Sequence, residues 1–337
     1  MATTPWRALA APADYLRRAV LVRARPMLRG WFTDRERRVA VGGAVGVGMA
    51  FALAVGCPLW AVAFGPAVLG IPHALSDLRY LVARPGLHRR PRVLLPIVVG
   101  SALGWRYGVS AALAGAALAA LLARGAVLRK VLVALVPAGL AALAWNDRHL
   151  ADLAFVHLHN AVAVGLWLSW RRRAGWWHLV PLGALGLGLG LVLHGDAERA
   201  STALGAWSVP APGFEPESLA WTLSPEDTWG LRAIQLYAFG QAVHYALWLR
   251  VVPAEDRPRE TPRSYAQSLE ALLADLPLWV LGPSVLAMCG LFLWALQDPF
   301  EARWNYLRLA FWHGYLELGA AAVFAVEGFP RRPRGPV

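Results

Sequence analysis

The chain has 337 residues, of which 57% are hydrophobic and 16% are charged, and its mean hydropathy is +0.44. This composition excludes an ordinary soluble domain, and 17 Trp and 24 Pro are typical of a protein that crosses a membrane several times. The formal net charge of +12 comes from short arginine clusters between apolar segments, so it predicts cytoplasmic loops and no nucleic-acid partner. The two cysteines, Cys57 and Cys289, are too few for a disulfide framework or a cysteine-ligated metal site.

Residues 1–37 combine leucine and valine with many arginines. The pattern predicts a cytoplasmic, basic, amphipathic segment that lies on an anionic membrane surface. A disordered basic tail is the alternative.

Residues 38–326 are predicted to form an all-α bundle of about ten membrane-spanning helices, since a span needs roughly 20 apolar residues. The third and fourth segments are short, and one broken segment is the alternative for them. The predicted spans are 38–56, 59–82, 92–106, 108–123, 127–145, 149–170, 176–194, 229–250, 277–296 and 303–326.

Loop charge predicts the orientation of these spans. The longest loop, 195–228, carries six acidic residues against the single Arg199 and is predicted to be extracytoplasmic. Both termini, including the basic tail 327–337, are then cytoplasmic, and the expected location is the bacterial inner membrane. The basic residues of the alternate loops are Arg84, Arg89, Arg90, Arg124, Arg129, Lys130, Arg171, Arg172, Arg173, Arg257, Arg259, Arg263, Arg331, Arg332 and Arg334.

Four histidines lie deep inside four of these spans, each with a polar residue one helical turn away. Residues at i,i+3 or i,i+4 share a helix face, and ionisable side chains inside a membrane usually face the bundle interior and serve a function. His159 lies two residues from one of the four and is an alternative to it. The pairs are His73 with Asp77, His157 with Asn160, His244 with Gln241, and His313 with Glu317.

Counting residues from the span ends places these histidines within a slab of roughly 10 Å, with His244 nearest the cytoplasmic side. The sequence therefore predicts a metal site formed by His73, His157 or His159, His244 and His313. In this hypothesis Asp77 and Glu317 act as catalytic or ligand-orienting carboxylates, and Asn160 and Gln241 orient ligands. Pro72, directly before His73, predicts a kink that presents the imidazole to a cavity.

Imidazole ligands with open coordination positions favour non-haem Fe²⁺, which would bind O2 for oxidation of a lipid-soluble small molecule. Three alternatives stay open. Haem b could be held by two facing histidines such as His159 and His313, or the polar groups could conduct protons or a cation. The histidines could also serve only as interhelical hydrogen-bonding groups. The oligomeric state is not predicted.

The motif Gly70-x-Pro72-His73-x-x-x-Asp77, with histidines spread singly over several spans, resembles the Brp/Blh family of β-carotene 15,15′-dioxygenases. The resemblance implies a polytopic enzyme in which histidines on separate helices hold one iron, and in which β-carotene is cleaved to retinal. It also implies that His73 is an iron ligand with Asp77 beside it. Where the family usually has Gly-Ala after the histidine, this chain has Ala74 and Leu75, and another lipid-soluble substrate is the alternative.

Overall fold

A computed structural model describes residues 5–170, 175–209, 211–224, 229–257 and 261–329. These ranges are helical apart from turns and one isolated bridge between Ala211 and Phe214. The helices are α1 (Pro5–Thr33), α2 (Arg35–Gly56), α3 (Pro58–Ala83), α4 (Pro91–Tyr107), α5 (Val109–Leu122), α6 (Val127–Asn146), α7 (Arg148–Trp170), α8 (Leu179–His194), α9 (Asp196–Ala203), α10 (Pro216–Leu223), α11 (Leu231–Ala246, continued by a turn Leu247–Val251 and by Val252–Glu255), α12 (Tyr265–Asp275), α13 (Leu278–Gln297) and α14 (Pro299–Glu327).

In the described part of the chain, seven helices are long and apolar enough to cross a membrane, so the predicted all-α membrane fold is confirmed at this level. A helix also lies at each of the other three predicted segments, namely α4, α5 and α11. The count of ten spans and the side of each terminus stay predictions. The seven helices are Arg35–Gly56, Pro58–Ala83, Val127–Asn146, Arg148–Trp170, Trp176–His194, Leu278–Gln297 and Pro299–Glu327.

The third and fourth predicted segments are two helices, α4 and α5, that pack closely against each other. The chain reverses at Gly108, whose φ of 70° lies in the left-handed region that favours glycine. Gly100 and Gly115 face each other across the pair, and a Cβ added at Gly100 would lie 3.0 Å from the Cα of Gly115. Small residues thus let the two backbones approach, as in other membrane helix pairs.

Helices α11 and α14 form the interior of the bundle. Within the apolar part of α14, 56% of residues are buried, against 11% for α6 and for α13, whose side chains therefore face outward. Helix α11 packs against α2, α3, α7 and α8, and it buries Gln235, Gln241 and His244 among protein atoms. The polar residues of α11 are consequently shielded from lipid.

Most of the predicted cytoplasmic segments contact one another at one end of the bundle. Helix α1 lies along α12, where the Asp14 carboxylate accepts hydrogen bonds from the first backbone N–H groups of α12. Arg90 pairs with Glu327, which also accepts from the backbone N–H of Arg124. Residues 5–33 form a helix, and this helix packs against α12 and α2.

The predicted 195–228 loop is largely helical where it is described, with α9, a short turn Ala206–Ser208 and α10. Asp196 and Glu198 occupy the favourable first turn of α9, and Pro216 begins α10. The extracytoplasmic position of this segment stays a prediction. Parts of the charge pattern lie outside the described residues: the clusters 171–173 and 331–334, together with Arg259, Glu226 and Asp227.

Asp275 joins α12 to the end of α3 by accepting hydrogen bonds from Arg79 at 2.8 Å and Arg84 at 2.9 Å. Burial raises the pKa of Asp275, but the two arginines outweigh it and hold the pKa below its ordinary value of 3.8. Because the pKa of Asp275 is lower in the folded protein than in the unfolded chain, the ionised carboxylate stabilises the fold at pH values above the unfolded-state pKa. This stabilisation is lost as the pH falls below about 4.

We expect Asp275→Asn to lower the free energy of unfolding by ~3 kcal/mol at pH 7, because it leaves two partly buried arginines without this partner. The measurement is thermal unfolding of the purified protein at pH 7 and at pH 3.5. The difference between variant and parent should shrink at the lower pH. A difference that is the same at both pH values would contradict this account.

Candidate metal centre

Helix α3 carries His73 and Asp77 between two π-helical turns, Pro66–Gly70 and Leu78–Ala83. The irregularity predicted at Pro72 thus takes the form of a π turn directly before it. Helix α11 has a third π turn, Leu247–Val251, just after His244. Such turns inside α-helices frequently mark functional sites. The Ser76 hydroxyl donates to the Trp248 carbonyl at 2.8 Å, which ties the irregular parts of α3 and α11 together.

The imidazoles of His73 and His244 meet at the centre of the bundle. Their Nε2 atoms are 2.9 Å apart, and both side chains are at most 1% exposed. His244 was the predicted outlier in depth, yet it is in direct contact with His73. Counting residues assumes straight helices normal to the membrane, whereas tilt and the π turns change the real depth.

Two carboxylates lie beside these imidazoles. Asp77 Oδ2 lies 3.4 Å from His73 Nε2, and Glu317 Oε1 lies 3.3 Å from His244 Nε2. Glu317 Oε1 also accepts a hydrogen bond from the indole N–H of Trp248 at 2.8 Å. Both carboxyl groups are 0% exposed, and no lysine or arginine pairs with either among the described residues.

His313 and His159 lie against the first two histidines. The His313 ring centroid is 4.7 Å from that of His73, and the His159 centroid is 5.2 Å from that of His244. In both rings Nδ1 faces a backbone carbonyl of its own helix, Ala310 for His313 and Phe155 for His159. This leaves Nε2 with its lone pair free for a metal, the arrangement found in metal-binding histidines.

The structure separates His157 from this group. Its Nε2 lies 3.2 Å from the Leu223 carbonyl, and its ring contacts Tyr237. Its predicted partner Asn160 directs its amide to backbone carbonyls of α7. The cluster therefore contains His159 and not His157.

In two other predicted pairs the polar residue contacts a residue other than the predicted histidine. Gln241 donates to the Tyr245 hydroxyl at 3.1 Å instead of holding His244, and the contacts of Glu317 are with His244 and Trp248 on α11 rather than with His313. Of the four sequence-predicted pairs, His73 with Asp77 is the one in which the histidine ring contacts its partner's side chain.

The donor set fits a metal ion. Two combinations bring one ligand atom from each residue within 4.8 Å: His73, His244 and His313, and His73, Asp77 and Glu317. Asp77 Oδ1 and Glu317 Oε2 are buried without a hydrogen-bond partner. Buried carboxylates are costly unless paired or bound to a metal, so this chemistry favours a cation at the point where the side chains converge.

A cavity of about 290 Å³ leads away from the cluster between α7, α10, α11 and α14. His159, His244 and His313 line its inner end, and its walls are mainly apolar and aromatic. Trp304 and Phe311 line it and are also exposed on the outer surface at 46% and 39%. Other residues in its walls are Phe155, Val156, Leu219, Leu223, Tyr237, Tyr245, Tyr306 and Leu307.

Sequence reasoning missed Tyr306 and Arg303, and it assigned Trp248 no contact with the candidate site residues. Arg303, Tyr306 and the two site residues of α14 follow a 3-4-3-4 spacing through Ala310, so they share the face that points into the bundle. Trp248 lies one turn after His244 on α11. These spacings in the sequence could have indicated that the three residues lie near the site.

Comparison with family models, with curated proteins and with solved structures finds no match to this chain. Function therefore has to be argued from the site.

Proposed function

We propose that the chain is an integral membrane metalloenzyme, a non-haem iron oxygenase that acts on an apolar, lipid-soluble substrate. One observation carries the proposal. Ligand atoms of His73, His244 and His313, and of His73, Asp77 and Glu317, lie within 4.8 Å of one another beside an apolar cavity, with His159 packed against His244. Oxygen atoms of both carboxylates lack hydrogen-bond partners. A cluster of this kind inside a membrane is expensive without a function.

His73, His244, His313 and His159 are the proposed ligands, and Asp77 and Glu317 are carboxylates that orient histidines or bind the ion. Bound iron would supply the activation of O2 at open coordination positions. The chain's own residues keep the site dry, since the cluster is buried, and Trp248 holds Glu317 toward His244 by its hydrogen bond.

We favour single iron ions over haem b because of the ring packing. Axial histidines lie on opposite sides of a haem plane. Here His73 lies against His313 and His244 lies against His159, so imidazoles fill the space that a macrocycle would need. His73 and His244 also bring their Nε2 atoms to 2.9 Å, which leaves no room for a ring between them.

The proposed substrate is carotenoid-like in its apolar body, which the aromatic cavity walls favour. The resemblance of Gly70, Pro72, His73 and Asp77 to the Brp/Blh motif supports an oxidative cleavage. Trp304 and Phe311 of the cavity wall are exposed on the outer surface, so the substrate would enter from the membrane.

The proposed setting is a bacterial inner membrane with ten spans and both termini in the cytoplasm. Its support is the positive charge of alternate loops and the contacts that join segments 84–90, 124–129, 256–275 and 327 at one end of the bundle.

The test is metal analysis of the purified protein after loading with iron, together with a matched pair of histidine variants. We expect stoichiometric iron in the parent and in His157→Gln, and loss of iron in His244→Gln. The reason is that His157 contacts a backbone carbonyl outside the cluster, whereas His244 contacts both His73 and Glu317. Gel filtration and thermal unfolding check that both variants are folded.

A folded parent that retains no metal would overturn the proposal and favour the proton or cation pathway. A strong Soret band would favour haem b. Equal iron content in both histidine variants would show that the ion is held elsewhere.

A further inference from the structure

Arg303 is a buried cation that has no acidic partner among the described residues, and it lies ten residues before His313 on α14. Its side chain is 7% exposed and lines the cavity. No hydrogen bond or ion pair to its guanidinium is found within the described ranges, and its buried Nε has no partner. Asp152, the acidic residue in the cavity wall, instead accepts from the backbone N–H of Val109 at 2.7 Å and from Arg148.

Aromatic rings hold this guanidinium in place. Its carbon atom lies 5.6 Å from the ring centroid of Tyr237 and 5.8 Å from that of Phe214. Such contacts stabilise a cation in part, but arginine stays charged at every accessible pH. A buried charge is costly until it is paired, so the cavity is electrostatically incomplete at Arg303.

We propose that Arg303 binds the anionic head of the substrate, so that the enzyme acts on an amphiphile with a long apolar chain and one carboxylate or phosphate group. A guanidinium matches both groups with two parallel hydrogen bonds. The inference rests on the proposed function for the role of the metal, while the anion site itself stands on the cavity and on Arg303.

The same geometry sets where the substrate is oxidised. Arg303 and His313 are ten residues apart on one helix, which corresponds to about 15 Å along its axis. The apolar chain of the substrate would occupy the cavity between the guanidinium and the cluster, so the position of the head group would select which bond of the chain reacts. A free hydrocarbon would have no such anchor.

The test measures binding of radiolabelled oleate to the full-length protein in detergent, with competition by three unlabelled lipids. These are oleate, 1-oleoyl lysophosphatidate and methyl oleate. We expect at least one of the two anions to bind ten times more tightly than the neutral ester, equivalent to about 1.4 kcal/mol. The anion that binds more tightly identifies the head group as a carboxylate or a phosphate.

Two substitutions of Arg303 test whether this residue causes the preference for anions. Arg303→Gln should remove the tenfold preference for anions and leave methyl oleate binding unchanged, and Arg303→Lys should retain part of the preference. Arg308→Gln is the matched control, because Arg308 also lines the cavity on α14 but is exposed. The control should keep the preference.

Equal affinity for anions and ester in the parent overturns the inference, and so does an equal loss in Arg303→Gln and Arg308→Gln. Iron content, measured on the same samples, should not change in Arg303→Gln. Failure of the anion preference with iron retained therefore refutes the head-group site alone, whereas absence of iron refutes the proposed metalloenzyme.

Discussion

Replacing Glu317 by glutamine is expected to weaken metal binding by about 100-fold, the upper effect seen for groups that support metal ligands. Glutamine keeps the volume of the side chain and an oxygen that can accept from Trp248, but it removes the negative charge beside His244. The measurement is iron affinity by equilibrium dialysis, combined with unfolding of metal-free and metal-loaded protein.

Glu317→Gln should lower the stability of the metal-loaded protein but not that of the metal-free protein. At a free metal concentration of 100 times the parent Kd, metal stabilises the parent by about 2.7 kcal/mol, and a 100-fold weaker variant by only about 0.4 kcal/mol. The metal-free variant should be as stable as the metal-free parent or more stable, because a fully buried carboxyl group has been removed.

Glu255→Gln is the control for this experiment. Glu255 is also buried, at 5% exposure, but it lies at the end of α11 and outside the cluster. Its exchange should leave iron affinity unchanged. If Glu317→Gln and Glu255→Gln gave the same metal dependence, Glu317 would be a structural residue only.

The second large effect is expected for Gly70→Ala, which should lower the free energy of unfolding by ~3 kcal/mol because overpacked cores are strained. An added Cβ at Gly70 would overlap the ring of Tyr306, which crosses α3 at this point. The ring belongs to the buried face of α14, so neither helix can move without disturbing the site between them. Thermal or denaturant unfolding of the metal-free protein measures the loss.

Gly48→Ala is the matched control, because it lies within helix α2 and an added Cβ there meets no atom within 4 Å. It should stabilise the protein by roughly 0.5–1 kcal/mol, since alanine is the better helix former. Adding Tyr306→Leu to Gly70→Ala should restore part of the stability that Gly70→Ala loses. Equal effects of the two alanine substitutions would contradict the close contact.

Local patterns in the sequence were sufficient for much of the fold. Apolar runs of span length located a helix at each predicted segment. The break predicted between 106 and 108 falls at the turn of Gly108, although the glycine itself was not recognised as the turn residue. The short helices inside the 195–228 segment were not predicted. The helix-starting signals at Asp196 and Pro216 were overlooked.

The candidate site was predictable only in its residue types. The pair His73 and Asp77 could be recognised because both residues lie on one helix at i,i+4 spacing, and that contact forms. Glu317 has the same spacing from His313, yet it contacts His244 and Trp248 on another helix. The i,i+4 rule reports which side chains share a face, but it does not report which neighbouring helix that face meets.

The sequence by itself determined that this protein is an all-α membrane bundle with polar groups on buried helix faces, because hydropathy and helical periodicity are properties of consecutive residues. Only the tertiary structure decided that four of five candidate histidines meet, that His159 rather than His157 is among them, and that Arg303 lines the cavity beside them. The physical reason is that contacts between helices depend on their rotation, tilt and π turns. These are set by packing over the whole bundle and leave little trace in any single segment.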